Sequence, residues 1–233
     1  MRSFANKIWG VLFMLFCSAT LVAQSTNDIS GLPVNTVNAV ADSSKPFILY
    51  ITGDGGWNDF SRSLSQEFAK KGYPVVALNA KKYFWDKKTA QQTATDVTRL
   101  ITAYQRFWKK RKVILLGYSF GADVMPFVYN NLGKDLASQV ININLLSPSA
   151  KTDFEIHIMV MLGGSSGDES VTAAINKISG KPISLIFGEN EDEFPIKELT
   201  IKNYVSVKLT GGHHYDGDEA NVVNAVLKQV PKN

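Results

Sequence analysis

The stretch Gly117-Tyr118-Ser119-Phe120-Gly121 is the part of the chain best equipped for chemistry. It follows the apolar run 113–116 and precedes a helix-like segment. Glycines at both ends of such a pentapeptide permit a tight strand-to-helix turn, which holds the serine strained with its Oγ exposed at the helix N-terminus. The pentapeptide alone arises often by chance; the strand before it and the helix after it make it specific. A serine used as a nucleophile needs three further things. These are a base, a carboxylate that orients the base, and N–H donors for the alkoxide that develops.

Three histidines are available: His157, His213 and His214. His157 lies within an apolar run, where a histidine satisfied in the core is expected. His213 and His214 follow the last strand-like run, inside Gly211-Gly212-His213-His214-Tyr215-Asp216. A base on this architecture comes late in the chain, in the loop after the final strand. His213, directly after the glycine pair, is preferred. A metal site built from both histidines with Asp216 or Asp218 is the competing reading. Adjacent side chains rarely converge on one ion, and no further histidine or cysteine cluster supports it, so no metal is expected. The orienting acid should fall between serine and histidine. That region reads Gly188-Glu189-Asn190-Glu191-Asp192-Glu193. Asp192 is the first choice and Glu191 a close second. For the oxyanion, one N–H is expected from the glycine-rich loop Thr52-Gly53-Asp54-Gly55-Gly56-Trp57, near Asp54 or Gly55, and the other from Phe120. That loop lacks the Lys-Ser/Thr ending of a phosphate-binding loop, which argues against a nucleotide.

These residues need a scaffold that brings four loops together. Runs at 47–51, 74–78, 113–116, 140–146, 156–162, 183–187 and 204–209 are short, apolar and without alternation, as in parallel strands covered on both faces. Amphipathic stretches lie between them. The clearest carries Val97, Leu100, Ile101, Tyr104 and Trp108 on one stripe. Alternating strand and helix predicts an α/β class fold with a mostly parallel central sheet flanked by helices, its site at the carboxyl ends of the strands. The 233 residues suffice for a single domain, placed at 46–233.

Composition removes several classes. Apolar residues make up 45% and charged residues 20%, which fits a folded globular chain. Arg2 and Lys7, an apolar stretch from Ile8 to Cys17, and Ala23 at a plausible cleavage point read as a secretory signal peptide over residues 1–23. The stretch is short of the roughly 20 apolar residues of a spanning helix; an uncleaved anchor is the alternative. Cleavage would remove Cys17, the sole cysteine, and lower the net charge from +4 to +2 by taking away Arg2 and Lys7. Neither disulfides nor nucleic-acid binding is then expected. The run Lys109-Lys110-Arg111-Lys112 reads as solvated cations at a helix C-terminus. Residues 24–45 are polar and turn-rich, and read as a leader or linker.

Taken together, the chain resembles the VirJ/AcvB family of bacterial virulence-associated periplasmic proteins. The likeness rests on Gly53-Asp54-Gly55-Gly56-Trp57, on Gly117 to Pro126 and on Gly212-His213-His214-Tyr215-Asp216-Gly217-Asp218, with Tyr83-Phe84-Trp85 and Lys88-Thr89 beside them. It spans essentially the whole mature chain, in the short form without an extra N-terminal domain. The resemblance implies an α/β-hydrolase fold and removal of the aminoacyl group, typically lysine, from aminoacylated phosphatidylglycerol in the periplasm. It also implies an association with type IV secretion components, and no cofactor. Asp54 and Asp123 would then bind the lysyl amines, with Trp57 and His214 as further substrate-binding candidates; for Asp123 a structural role in the loops near the serine is an equal alternative. Lys81-Lys82-Tyr83-Phe84-Trp85-Asp86-Lys87-Lys88 could make peripheral contact with an anionic membrane surface, or pack its aromatics over the site with the lysines solvated. Two other functions stay open: a periplasmic carboxylesterase or lipase for simpler esters, and a non-catalytic secretion adaptor on the same scaffold.

Overall fold

The computed structural model describes residues 29–39, 44–156, 167–191 and 194–231. In chain order the elements are β1 (Val34–Val37), β2 (Phe47–Ile51), α1 (Asp59–Lys70), β3 (Val75–Leu78), α2 (Ala80–Tyr83), α3 (Ala90–Phe107), β4 (Val113–Tyr118) and α4 (Phe120–Asn130). They continue with α5 (Lys134–Gln139), β5 (Val140–Leu146), β6 (Lys151–Thr152), β7 (Glu169–Ser170), α6 (Val171–Asn176), β8 (Ile183–Gly188), β9 (Tyr204–Leu209) and α7 (Glu219–Lys228). The main sheet has the order β1-β3-β2-β4-β5-β8-β9. All neighbours in it are parallel except β1, which runs antiparallel to β3.

Strands β2, β3 and β4 are buried at every position, because helices cover both faces of the sheet. Successive side chains point to opposite faces and so join two separate cores. Phe47, Leu49 and Ile51 of β2 belong to one core with Val97 and Leu100 of α3, Met125 of α4 and Ile175 of α6. Ile48 and Tyr50 point the other way, toward Phe60, Leu64 and Phe68 of α1 and Val222, Val223 and Val226 of α7. Val97, Leu100, Ile101 and Tyr104 of the expected stripe lie on the buried face of α3, and Trp108 is its half-buried C-cap. This helix starts at a reciprocal capping box between Thr89 and Gln92, which satisfies two of its free N–H groups. Two polar residues on β5, Asn142 and Asn144, are fully buried and hydrogen-bond each other's amides.

One expectation is altered. Residues 34–37, read as leader, form the edge strand β1, anchored also by the Asn79 N–H donating to the Pro33 carbonyl. An edge strand is half exposed, so it carries little of the hydrophobic signal that marks the inner strands. The run 156–162 lies beyond Ile156 outside the described residues, as does His157. Between α4 and the glycine loop the fit is close. A Cβ on Gly121 would lie 2.1 Å from the Ile51 carbonyl oxygen, and one on Gly117 would lie 2.3 Å from the Gly121 carbonyl oxygen. Gly121→Ala should therefore lower stability by about 1–3 kcal/mol in urea unfolding, whereas Gly212→Ala, with open space at that position, should stay within about 0.5 kcal/mol. Equal midpoints for the two variants would contradict this packing.

Candidate active site

Ser119 sits between the end of β4 and the start of α4 with φ 52° and ψ −123°. A residue with a side chain adopts such a conformation at a cost of about 1–3 kcal/mol, and only where its surroundings hold it there. Here its N–H donates to the Leu146 carbonyl at 2.8 Å, while its carbonyl accepts from the N–H groups of Ala122 and Asp123. The serine is thus the last member of one hydrogen-bond ladder and the first acceptor of the next helix. Its Oγ lies 2.9 Å from His213 Nε2, and His213 Nδ1 lies 2.6 Å from Glu191 Oε1. A carboxylate only accepts, so Nδ1 carries the proton and Nε2 is free to take one from the serine.

The two loops that bring His213 and Glu191 together are extensions of the sheet. Beyond β8 and β9 the pairing continues, with Glu189 N–H to the Leu209 carbonyl and Asn190 N–H to the Gly211 carbonyl. Gly188 has no room for a side chain, since a Cβ there would lie 2.3 Å from the Gly212 carbonyl oxygen. The chain then turns back, Glu191 N–H bonding the Gly188 carbonyl, and this returns the Glu191 side chain to the strand end. Its Oε2 accepts from the Gly188 N–H at 2.6 Å and from Ser147 Oγ at 2.7 Å. Asp192, the first choice from sequence, lies outside the described residues. Glu191 is the carboxylate that meets His213, because the 188–191 turn aims position 191 at the strand ends.

Two residues of this network escaped the sequence reading. Ser147 follows β5 directly, and Tyr215 follows the histidines. Tyr215 is 1% exposed, donates to the Ile186 carbonyl at 2.8 Å and lies 2.7 Å from Ser147 Oγ. Tyr215 and Asp216 both have left-handed φ angles, which wind the loop tightly beneath His213. A polar residue at the carboxyl end of a strand was the available signal for Ser147; for Tyr215 it was its place in the histidine loop. His214 has a different place from the one expected. Its Nδ1 lies 2.6 Å from the Tyr118 hydroxyl, and that hydroxyl also lies 3.1 Å from the His213 carbonyl. It therefore braces the loop. The two imidazoles diverge, with planes 76° apart, and among the described residues no His, Cys, Asp or Glu cluster is fit to hold a metal ion.

The glycine-rich loop closes on the serine from the other side. A Cβ on Gly53 would stand 3.4 Å from Ser119 Cβ. The Gly55 N–H already donates to Asp54 Oδ1 at 2.9 Å, which leaves Asp54's own N–H as the loop's candidate oxyanion donor. The N–H of Phe120 is among the first of α4, which helix geometry leaves without an internal acceptor. Trp57 packs against the α1–α7 core. Asp123 is 6% exposed, and its Oδ1 accepts from the Ser149 N–H at 2.6 Å. It thereby ties α4 to the loop after β5, as the structural alternative for Asp123 requires. Asp218 caps α7 through the Asn221 N–H. A cavity of about 480 Å³ opens beside Glu191 and His213, lined also by Ser147, Phe187, Phe194 and Lys151.

The chain matches the family described as bacterial virulence protein (VirJ) over residues 46–233. It belongs to the VirJ family. No curated protein matches the chain in sequence. Among solved structures it is similar to Est1E from Butyrivibrio proteoclasticus with ferulic acid bound, at 15% identity, covering 87% of this chain and 98% of that one, with a TM-score of 0.60. It is also similar to a putative dienelactone hydrolase from Klebsiella pneumoniae, at 11% identity over 85% and 92% of the two chains, TM-score 0.62. A third is MenH from S. aureus, at 14% identity over 84% and 96%, TM-score 0.59. The fold of this VirJ-family chain is accordingly that of the α/β-hydrolases.

Electrostatics in the VirJ site favour a charged acid beside a basic imidazole. Burial works to raise the Glu191 pKa, but the bonds from His213, Gly188 and Ser147 outweigh it and hold the carboxyl below its ordinary range. The hydrogen bond to Glu191 raises His213 above its usual 6.5, more than desolvation lowers it. Desolvation pushes Asp123 up to about 7, against the lowering effect of its bonds from Ser149 and of nearby His213. A base must be neutral to accept a proton, so His213 becomes competent only as pH rises through that raised value. In NMR titration the His213 ring should accordingly titrate above pH 6.5, and Glu191→Gln should move the midpoint downward. An unmoved midpoint would mean that the Glu191 contact does not set the imidazole's basicity.

Proposed function

We propose that this VirJ-family protein is a serine hydrolase that removes the aminoacyl group from aminoacylated phosphatidylglycerol, with lysine as the favoured amino acid. The observation that carries the reading is the chain Ser119–His213–Glu191, hydrogen-bonded end to end at a serine with left-handed φ. Ser119 Oγ attacks the ester carbonyl while His213 Nε2 takes the hydroxyl proton. Glu191 holds the imidazole and stabilises the imidazolium. The N–H groups of Phe120 and Asp54 receive the oxyanion. Collapse breaks the ester bond, and His213 returns the proton to the departing headgroup oxygen. Water, deprotonated by His213, then cleaves the acyl-enzyme and releases the free amino acid.

The cationic acyl group is supported by the half-exposed Asp54, whose loop abuts the nucleophile. Lys151 is among the residues lining the cavity beside Glu191 and His213, and a cation there suits the phosphodiester. Export to the periplasm, carried by the N-terminal pattern of Arg2, Lys7, the apolar stretch and Ala23, belongs to the same reading. Those residues lie outside the described ones.

Purified protein should release free lysine from lysyl-phosphatidylglycerol in detergent micelles, and Ser119→Ala should abolish release. A folded chain that releases none would move the substrate class to simpler acyl esters. Asp54→Asn should lower hydrolysis of a lysyl ester about tenfold relative to a neutral ester of the same alcohol, since a hydrogen bond to a charged group contributes about 1.5 kcal/mol. Equal losses on both esters would remove Asp54 from amine recognition.

A further inference from the structure

We propose that α2 and the turn after it form the surface by which the protein rests on an anionic phospholipid bilayer. Of the three aromatics in Lys81–Lys88, Tyr83 and Phe84 are 5% and 0% exposed, whereas Trp85 is 55% exposed. Lys81, Lys82 and Lys87 are exposed around it, and Lys88 lies over the Tyr83 ring at 5.5 Å. Asp86 is the only acidic residue among these eight. Burying Tyr83 and Phe84 fixes the turn in place. What it presents outward is one large amphipathic ring amid cations. An indole prefers the headgroup boundary, and each lysine held near an anionic leaflet contributes about fivefold in affinity.

The surface is coupled to the reaction centre on two sides. The Phe84 ring packs edge-on against Phe120, the residue after the nucleophile, at 4.9 Å between centroids. Lys81 Cβ stands against Gly56 of the glycine-rich loop, and the Ala80 N–H donates to Thr52 Oγ1 at the start of that loop. As α2 follows the carboxyl end of β3, it lies at the same edge of the parallel sheet as Ser119, which follows β4. Seating Trp85 in the interface therefore brings the serine up to the headgroup layer. Charge complementarity selects the occupant, a bilayer rich in phosphatidylglycerol and not a neutral one.

The test uses the full chain and vesicles without any aminoacyl lipid, so that it stands apart from the substrate reading. Co-sedimentation with phosphatidylglycerol/phosphatidylcholine vesicles at low salt should be tighter than with phosphatidylcholine alone. The triple variant Lys81→Gln, Lys82→Gln, Lys87→Gln should weaken it about a hundredfold, and Trp85→Ala at least severalfold. Hydrolysis of a water-soluble activated ester should stay within twofold in both variants. Vesicle binding unchanged in both variants, or no preference for phosphatidylglycerol in the parent protein, would overturn the proposal. So would a loss of binding accompanied by an equal loss on the soluble ester, because the substitutions would then be damaging the fold or the site.

Discussion

One carboxylate holds the site together. Glu191 receives Gly188 N–H, Ser147 Oγ and His213 Nδ1, all at 2.6–2.7 Å, from the ends of β8, β5 and β9. Hydrogen bonds to an ionised acceptor are short and about twice as strong as neutral ones, and three of them keep this acid charged although it is partly buried. Without that charge the imidazole would have neither a defined tautomer nor its raised basicity. The buried Tyr215 hydroxyl, 2.7 Å from Ser147 Oγ, donates to the Ile186 carbonyl, so the loop carrying His213 is tied into the core of the sheet.

The parallel ladder supplies the rest of the precision. Ser119, Ser147 and Glu189 each continue the pairing of their own strand by one more N–H···O bond, to Leu146, Ile186 and Leu209. Register, once set by the apolar strands, therefore places the loops as well. Close backbone approach does the remaining work. Gly117 and Gly121 let α4 descend onto the Ile51 and Thr52 carbonyls, and Gly188 lets the histidine loop cross the acid turn. These are positions where a methyl group has no room, and they lie where reacting groups from distant parts of the chain must meet.

Much of this was legible in the residue order. Short non-alternating apolar runs marked the inner strands, and the glycine–serine pentapeptide between strand and helix pointed to Ser119, whose Oγ lies 2.9 Å from His213 Nε2. His213 was favoured over His214 for its place directly after the glycine pair, at the start of the loop that follows the last strand. Periodicity says nothing about the direction of a side chain inside an irregular turn, and so Asp192 was ranked above Glu191; the 188–191 turn brings Glu191 to 2.6 Å from His213 Nδ1, while Asp192 lies outside the described residues. The same limit hid Ser147 and Tyr215, whose roles depend on neighbours 44 and 29 residues away in sequence. It also left Asp123 balanced between two roles, of which burial and the Ser149 bond support the structural one. The edge strand β1 stayed hidden because half of it faces solvent.

The central claim is that Ser119 is a nucleophile activated by His213. Reaction of the folded protein with a fluorophosphonate, followed by peptide mass analysis across a pH series, tests it without assuming any natural substrate. The account predicts one adduct, on Ser119, forming faster as pH rises through the His213 titration. An adduct on another residue, or none from folded protein, would contradict it.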